Sequence, residues 1–286
     1  MVDVITRLGK SVIQHGEHNN RIYLMRLATE DFPAIIGRLD DLAILKGYSK
    51  IFAKVPGFAK DEFEESGYVT EAHIPGFFNG NEDAYLMGKY LSSQRWRICG
   101  EDQLDEVIIL ARFKAAGGMP TVLPDGYRFR MPGKSDVVQM ANVYKQVFQT
   151  YPFPVHDPRH LYKTMDENVV YFAVYKGDNI VALSSTEIDV ESKSAEMTDF
   201  ATLPEYRGKG FAAYLLQKME GTVREKEIKT AYTIARASSH GINIAFAKMG
   251  YQYGGMLVNN TNICGNLESM NVWYKHLRSS PESSRK

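Results

Sequence analysis

The chain has 286 residues, 44% of them hydrophobic, so it can bury one large core or two of ordinary size. Its 34 Lys and Arg residues equal its 34 Asp and Glu residues, which argues against a nucleic-acid-binding surface spread over the whole molecule. The two cysteines, Cys99 and Cys264, are too isolated for a disulfide framework or a metal-binding pair, and no apolar run reaches membrane length. We therefore expect a cytoplasmic protein that binds no metal, membrane or nucleic acid.

The first 115 residues alternate strand patterns with helix patterns, which predicts a mixed α/β module. Strands are predicted over residues 2–14 and 21–28, joined by a polar turn. Asp31 is predicted to cap a helix that ends near Gly47. The remaining predicted elements are strands over 49–55, 68–74 and 84–90 and helices over 59–66 and 101–115.

Glycine and proline cluster at residues 115–120 and again at 124–126, which predicts a domain boundary. We expect an N-terminal α/β domain over residues 1–118 and a second domain over 126–278. The polar residues 279–286 are predicted to form a frayed tail.

The second domain shows the element order β-α-α-β-β-β-α-β-α-β-β. An alternating strand opens it, and a helix follows that is broken by Pro152 and Pro154. Asp157 and Pro158 then begin a second short helix. The later elements are strands over 169–175, 180–188, 195–203, 230–235, 251–258 and 268–273, with helices ending near 227 and 249.

A loop with two glycines and two cations connects the strand 195–203 to the next helix. Free amides and the positive end of the helix dipole make such a helix start an anion site. Glycine lets the backbone approach a phosphate closely, and Arg207 and Lys209 add positive charge. Neither a Gly-x-x-x-x-Gly-Lys-Ser/Thr loop nor a Gly-x-Gly-x-x-Gly fingerprint is present, which disfavours a nucleotide triphosphatase and a dinucleotide fold.

The string Arg-x-x-Gly-x-Gly/Ala over Arg207–Ala212 resembles the acyl-CoA pyrophosphate loop of the GNAT acetyltransferases. That resemblance implies a GNAT fold of the α/β (α+β) class, with a mixed, mainly antiparallel sheet, and acetyl-CoA as co-substrate. It also implies that the strand before the loop separates from its neighbour and pairs with the pantetheine arm. The cofactor-binding residues that the resemblance implies are Phe200, Ala201, Thr202, Arg207, Gly208, Lys209, Gly210, Phe211, Ala212, Asn243 and Phe246. For Asn243 the alternative is a helix-capping role.

Amine acetylation needs a neutral nucleophile, whereas a lysine-like amine is roughly 99.9% protonated at neutral pH. A base or a water chain must therefore remove a proton. Glu196 and Asp199, on the strand that enters the loop, are the candidate bases, and their spacing predicts that they face opposite sides. We favour Asp199 because it lies next to the point of strand separation, with Glu196 as the alternative.

One position departs from the family pattern. Many members have a tyrosine, acting as general acid to the leaving thiolate, where this chain has Phe246. Either Tyr251 or Tyr253 takes over that role, or the thiolate leaves unprotonated.

Three further stretches, at residues 198–204, 250–260 and 267–273, are similar to the beta-lysine N-acetyltransferases within this superfamily. Together with segments of the N-terminal module, the resemblance covers essentially the whole chain. It implies acetylation of the side-chain amine of beta-lysine to give N-epsilon-acetyl-beta-lysine, a compatible solute.

A substrate with two ammonium groups and one carboxylate favours carboxylates and amides in its pocket. Tyr253, Asn259, Asn260 and Glu268 supply such groups near the strand ends, although Asn259 and Asn260 in isolation favour a turn over a binding pair. The alternatives are a protein-lysine or polyamine acetyltransferase and a non-catalytic acyl-CoA sensor. A homodimer and the role of the first domain are left open.

One internal similarity links the two halves. The order strand, helix, Gly-Tyr, strand, strand over residues 51–87 recurs over 232–272. Either the N-terminal module is a reduced relative of the second half of the acetyltransferase fold, or the similarity is due to chance.

Overall fold

The computed structural model describes residues 3–117, 122–263 and 265–277. Cys264, residue 118 and the predicted tail over 279–286 lie outside these ranges. The strands are β1 Val4–Leu8, β2 Ser11–Gly16, β3 Arg21–Arg26, β4 Lys50–Pro56, β5 Val69–Phe78, β6 Glu82–Tyr90, β7 Tyr127–Arg130, β8 Val169–Lys176, β9 Asn179–Asp189, β10 Ser194–Thr202, β11 Thr230–Arg236, β12 Gln252–Ile263 and β13 Asn266–His276.

The helices of the described ranges flank these strands. None of them is long and apolar enough to span a membrane. They are α1 Ile35–Lys46, α2 Lys60–Glu65, α3 Ser93–Trp96, α4 Glu101–Ala115, α5 Val137–Val147, α6 Pro158–Thr164, α7 Phe211–Glu225 and α8 His240–Lys248.

All 13 strands join in one sheet, in the order β1-β2-β3-β4-β6-β5-β12-β13-β11-β10-β9-β8-β7. Strands β3 and β4 are parallel, as are β10 and β11, and the other neighbours are antiparallel. The expected mixed, mainly antiparallel sheet is therefore confirmed. The predicted element order of the second half is confirmed as well, from β7 to β13.

Two local predictions in the N-terminal module are wrong. The single strand expected over residues 2–14 is a hairpin, because Gly9 turns the chain at a φ of +69° between β1 and β2. Asp31 does not cap α1. Its carboxylate accepts hydrogen bonds from the backbone of Lys10 and from the backbone and hydroxyl of Ser11, so it holds the hairpin turn against the start of the helical segment.

The two halves repeat the same connectivity. In the first, β3-α1-β4-α2-β5-β6 gives the sheet order β5-β6-β4-β3, and in the second β10-α7-β11-α8-β12-β13 gives β12-β13-β11-β10. This shared topology supports the interpretation that the N-terminal module is related to the acetyltransferase half. The two half-sheets meet edge to edge at β5 and β12, where Ala72 pairs with Gly255.

Helices α1 and α2 cover one face of the first half-sheet, and α7 and α8 cover one face of the second, whereas α5 and α6 pack on the opposite face of β8–β10. The remaining parts of the two uncovered faces turn toward each other. Along β3 and β4, Ile22 and Ile51 pack with α1 and α2, while Tyr23 and Phe52 share a cluster with Tyr232 of β11. Since several strands separate β4 from β11 in sheet order, the sheet must curve to bring these side chains together. The curvature leaves an inner face enclosed by both halves.

Helix α4 lies before the predicted domain boundary in sequence, but it packs against the second half. Ile108 and Ala111 join the core cluster beneath β8–β11, and α4 packs on α8. The division into domains at residues 118 and 126 stays a prediction, and the core is shared across it.

A substitution at Gly255 tests how closely β5 and β12 must approach where the two half-sheets meet. Its φ is +140°, and a Cβ there would overlap the Glu71 carbonyl oxygen and lie 2.7 Å from Ala72 Cα. We expect Gly255→Ala to lower the free energy of unfolding by at least ~2 kcal/mol, through backbone strain and displacement of β5. Urea denaturation measures the change.

Gly221→Ala is the matched control, since Gly221 lies within α7 and an alanine Cβ at this position would have no neighbouring atom within 4 Å. It should be neutral or stabilising by up to about 1 kcal/mol. Equal effects of the two substitutions would contradict the importance of close approach between β5 and β12.

Candidate active site

The site is built around an opening between the parallel strands β10 and β11. Their pairing ends at Glu196 and Tyr232, although β10 continues to Thr202 along β9. A bulge between Thr198 and Ala201 bends β10, and Asp199 within it has a φ of +54°. The strand separation implied by the resemblance is thus present, because the bulge directs β10 away from β11.

The first cavity, called the loop cavity, has a volume of about 620 Å³ and lies between the ends of β10 and β11 and the starts of α7 and α8. Gly208 and Gly210 adopt φ values of +79° and +78°, so the backbone of the turn needs glycine at both positions. Helix α7 begins at Phe211. The predicted cofactor residues that line this cavity are Phe200, Thr202, Arg207, Gly208, Lys209, Gly210, Phe211 and Ala212.

Three predicted cofactor residues do not line the loop cavity. Ala201 is buried against the α5 cluster on the other side of β10. Phe246 is fully buried and supports Phe200 from below, with ring centroids 5.6 Å apart. Asn243 is also buried, and its amide is saturated by internal hydrogen bonds.

Asn243 is held by internal hydrogen bonds, but it is not the cap of α8, whose N-cap residue is Ser239. Its Nδ2 donates to the carbonyls of Arg236 and Ser239, and its Oδ1 accepts from Asn271 and Trp273. These bonds join the start of α8 to β11 and β13, so Asn243 fixes the floor of the site without contacting a ligand there.

A second cavity of about 410 Å³, called the inner cavity, lies on the enclosed face of the sheet. Strands β2, β3 and β4 supply one side, and β9, β10 and β11 supply the other. Its charged lining residues are Arg21, Arg26, Lys54, Glu187, Asp189 and Glu196.

The two cavities meet at the opening between β10 and β11. The residues that line both are Tyr151, Thr198, Ile234, Ile263 and Met270. A ligand in the loop cavity can therefore reach a ligand in the inner cavity where β10 and β11 separate.

Two carboxylates of the inner cavity face each other across a pair of strands. Glu196 of β10 is the direct cross-strand partner of Glu187 in β9. Burial and mutual repulsion raise the pKa of Glu187 to about 8, and burial raises the pKa of Glu196 to about 7. Lys54 and the Tyr232 hydroxyl oppose the shift at Glu196. Near neutral pH the two carboxylates therefore retain protons that an exposed glutamate has lost, and a bound cation would favour their ionised forms.

Asp199 is held by two hydroxyl groups. Oδ1 accepts a hydrogen bond from the Tyr151 hydroxyl at 2.6 Å, and Oδ2 accepts one from the Ser185 hydroxyl. Burial raises the pKa of Asp199, although these hydrogen bonds act in the opposite direction. With both oxygens engaged, Asp199 holds Tyr151 at the junction of the cavities.

The predicted acid candidates lie away from both cavities. Tyr251 is 4% exposed, and its ring packs on Phe246 and beneath the ammonium of Lys275. Tyr253 packs on Trp273 and under Arg112 of α4. The expectation that one of them protonates the leaving thiolate is therefore wrong, because both tyrosines pack on the side of the sheet that carries α4 and neither lines a cavity.

The other predicted substrate residues are also mostly structural. Asn259 donates to the carbonyls of Arg95 and Arg97, and Glu268 forms an ion pair with Arg236, which lines the loop cavity. Only Asn260 lines the inner cavity.

The turn expected around Asn259 and Asn260 is wrong, since β12 continues through them to Ile263. A register shift between Leu257 and Thr261 and a φ of +44° at Asn259 mark a bulge there. The asparagine pair signalled irregular backbone, and the strand absorbed it.

Sequence reasoning missed Arg21, Lys54, Tyr151 and Glu187, which line the inner cavity. Glu187 carried only a weak signal, as a charged residue in a strand that also holds the polar residues Ser184, Ser185, Thr186 and Asp189. Arg21 and Lys54 come from the other half of the chain, so only the curvature of the sheet brings them here. Within the ranges that the structure describes, no group of three or more His, Cys, Asp or Glu side chains is placed to hold a metal ion.

Comparison with known proteins gives a family match over residues 137–251, to the acetyltransferase (GNAT) family. A beta-lysine N(6)-acetyltransferase of Methanococcus maripaludis is 41% identical over 275 residues, which cover 96% of this chain and 99% of that protein. A second, from Methanosarcina mazei, is 34% identical over 86% of this chain and 98% of its own. The N-acetyltransferase YodP of Bacillus subtilis is 34% identical over 93% and 96%.

The carboxylate pair predicts how stability depends on pH. Both folded-state pKa values lie above the ordinary value of 4.5, so between about pH 5 and 8 the folded state binds more protons than the unfolded state. The contribution of these two groups to the free energy of unfolding should therefore fall as the pH rises through this window, whereas His15, His156 and His160, whose pKa values burial lowers, act in the opposite direction. In Glu187→Gln the fall should be smaller, because one raised group and its repulsion are removed.

Urea denaturation at pH 5, 6, 7 and 8 measures the two slopes. Glu191→Gln, which removes an exposed carboxylate in the adjoining turn, should keep the slope of the unmodified protein. Parallel curves for Glu187→Gln and the unmodified protein would show that Glu187 does not retain an extra proton in the folded state.

Proposed function

Because this chain belongs to the acetyltransferase (GNAT) family and is an N-acetyltransferase, we propose that it transfers an acetyl group from acetyl-CoA to the side-chain amine of beta-lysine. The matches to two beta-lysine N(6)-acetyltransferases over nearly their full lengths support this acceptor. The product carries one positive and one negative charge, which suits a compatible solute because it is a net-neutral zwitterion.

The residues of the loop cavity fit acetyl-CoA. No atom lies within 4 Å of a Cβ built at Gly208 or Gly210, so the turn forms an open cradle for a pyrophosphate. Arg207 and Lys209 add charge in the turn, and Lys248 of α8 also lines the cavity. Acetyl-CoA, when bound, supplies an activated acetyl thioester.

One observation carries the choice of an amine acceptor. The paired carboxylates Glu187 and Glu196 lie in a partly enclosed cavity that joins the loop cavity at Thr198. Two acidic groups that repel each other gain most from an ammonium ligand between or beside them. The amine is thereby concentrated beside the point where an acetyl group would be presented.

Glu196 is the proposed general base. It lines the inner cavity and lies two residues from Thr198 on the same strand, and its pKa of about 7 suits proton removal at neutral pH. Asp199, the base favoured from the sequence, instead uses both oxygens to hold Tyr151 and Ser185. We therefore assign Asp199 a positioning role.

Tyr151 lines both cavities, but the proton of its hydroxyl is already donated to Asp199. Burial and the nearby carboxylate raise its pKa well above 10, which makes it a poor proton donor. The thiolate is then expected to leave unprotonated, and the Tyr151 oxygen, beside the Thr198 hydroxyl, has a second lone pair that can accept a hydrogen bond from the incoming amine.

A panel of acceptors tests the proposal. Thiol release from acetyl-CoA should show the highest kcat/KM with beta-lysine, and lower values with alpha-lysine, ornithine, spermidine and a lysine-containing peptide. Preferred turnover of spermidine or the peptide would replace beta-lysine by the polyamine or protein acceptor. Tight binding of acetyl-CoA with no turnover on any amine would instead indicate the sensor.

The pH dependence of kcat/KM separates the two carboxylates. Glu196→Gln should lower kcat by roughly 10²- to 10⁴-fold and remove the rise of activity near pH 7, because the base is lost. Asp199→Asn should keep that rise while lowering activity through the displaced Tyr151. An unchanged pH profile for Glu196→Gln would move the base role to Asp199 or to water.

A further inference from the structure

The N-terminal half forms one complete side of the inner cavity. Residues 21, 23 and 25 of β3 and 52 and 54 of β4 alternate onto its enclosed face. Two of them are cations, Arg21 and Lys54, and the carboxylates of β9 and β10 line the same cavity. The electrostatic influence of Glu187, Asp189 and Glu196 reaches Lys54. This module has no phosphate loop, so its contribution to the site is this charged wall.

Arg21 is buried with only part of its bonding capacity used. It is 5% exposed, and its Nη1 donates to the Asn260 carbonyl oxygen and lies 3.4 Å from the Thr261 hydroxyl. Its Nε is buried with no hydrogen-bond partner in the described part of the chain. The guanidinium lies 5.6 Å from the Tyr23 ring centroid and 5.5 Å from that of Phe52. A buried cation in this state has donors left for an anionic ligand.

Lys54 is a second cation without an ion-pair partner among residues 3–117, 122–263 and 265–277. Its Nζ lies 5.0 Å from the Phe77 ring centroid and 6.0 Å from that of Tyr232. Burial lowers its pKa, whereas Glu196, Asp189 and Glu187 raise it. By contrast, Arg26 at the rim of the cavity is exposed and already paired with Glu191 at 3.0 Å.

The charges that line the inner cavity distinguish between classes of acceptor. A polyamine has only cationic groups, so it would satisfy Glu187 and Glu196 but leave the buried Arg21 and the half-buried Lys54 beside further positive charge. A diamino acid carries a carboxylate as well, which can bond both cations while its ammonium groups meet the glutamates. The cavity of about 410 Å³ is large enough for such a small molecule.

We infer that Arg21 and Lys54 bind the carboxylate of the acceptor, so that the N-terminal half selects amino acids over polyamines. This inference rests on the proposed amine acetylation, and it assigns a role to a module that lacks a cofactor loop. The carboxylate end of the acceptor lies against β3 and β4, and its amine lies toward β10.

The test compares acceptors that differ only in the carboxylate. We expect the purified protein to show a kcat/KM roughly 10- to 100-fold higher for beta-lysine than for 1,4-diaminopentane, which is beta-lysine without its carboxylate. Lys54→Met retains most of the apolar stem and should reduce this ratio by about tenfold or more. The loss should be larger with beta-lysine than with the diamine. Removing the Lys54 charge also raises the pKa of Glu196, but that effect is common to both acceptors and cancels in the ratio.

Two further variants keep the test decisive. Arg21→Lys retains the charge but loses the planar fork, so it should reduce the ratio without abolishing activity on the diamine. Lys46→Met, which removes an exposed lysine from the last turn of α1, should leave the ratio unchanged.

The outcomes separate this inference from the proposed function. Equal kcat/KM for beta-lysine and the diamine in the unmodified protein would overturn carboxylate recognition while leaving an amine acetyltransferase. A parallel loss with both acceptors in Lys54→Met and Arg21→Lys would show a structural role only. If the panel instead selects alpha-lysine, alpha-lysine replaces beta-lysine as the proposed acceptor. Carboxylate recognition is then tested by comparing alpha-lysine with cadaverine, which is alpha-lysine without its carboxylate.

Discussion

The opening between β10 and β11 is the constraint on which the active site depends. Paired strands would bury the backbone edge of β10 and close the passage at Thr198. The bulge at Asp199 prevents that pairing, and the hydroxyls of Tyr151 and Ser185 hold its carboxylate in place. A locally unfavourable backbone conformation is thus maintained by surrounding hydrogen bonds, and it gives two cavities a common boundary.

The N-terminal half closes the inner cavity, and a buried ionic cluster fixes it to the second half. Lys50 of β4 donates to Glu71 and to the Val258 carbonyl, and the Val258 amide donates back to Glu71. A buried ion pair offsets its desolvation cost only when further hydrogen bonds satisfy both partners, and here the carbonyl and amide of Val258 provide them. The cluster sets β4 against β12, and therefore sets Lys54, four residues further along β4, against the glutamates of β9 and β10.

Local sequence signals predicted much of the second half. The Arg207–Ala212 string, the strand before it and the helix after it depend on neighbours in sequence, and eight of the predicted cofactor residues line one cavity. The same local reasoning misplaced Asn243 and Tyr251, because a family position fixes where a residue lies along an element but not which contacts saturate it. Asn243 is consumed by bonds to β11 and β13, and Tyr251 lies in the core beneath Phe246.

By itself, the sequence determined the order of elements in the second half, the phosphate loop and the glycines that its turn requires, since periodicity and backbone freedom are properties of short segments. Only the tertiary structure decided the acceptor side of the site. Glu187 and Glu196 come together through strand register, and Arg21 and Lys54 reach them from more than 130 residues away through curvature of the sheet. Register and curvature depend on how whole strands pack, and so no short stretch of this chain encodes the charges that face each other in its inner cavity.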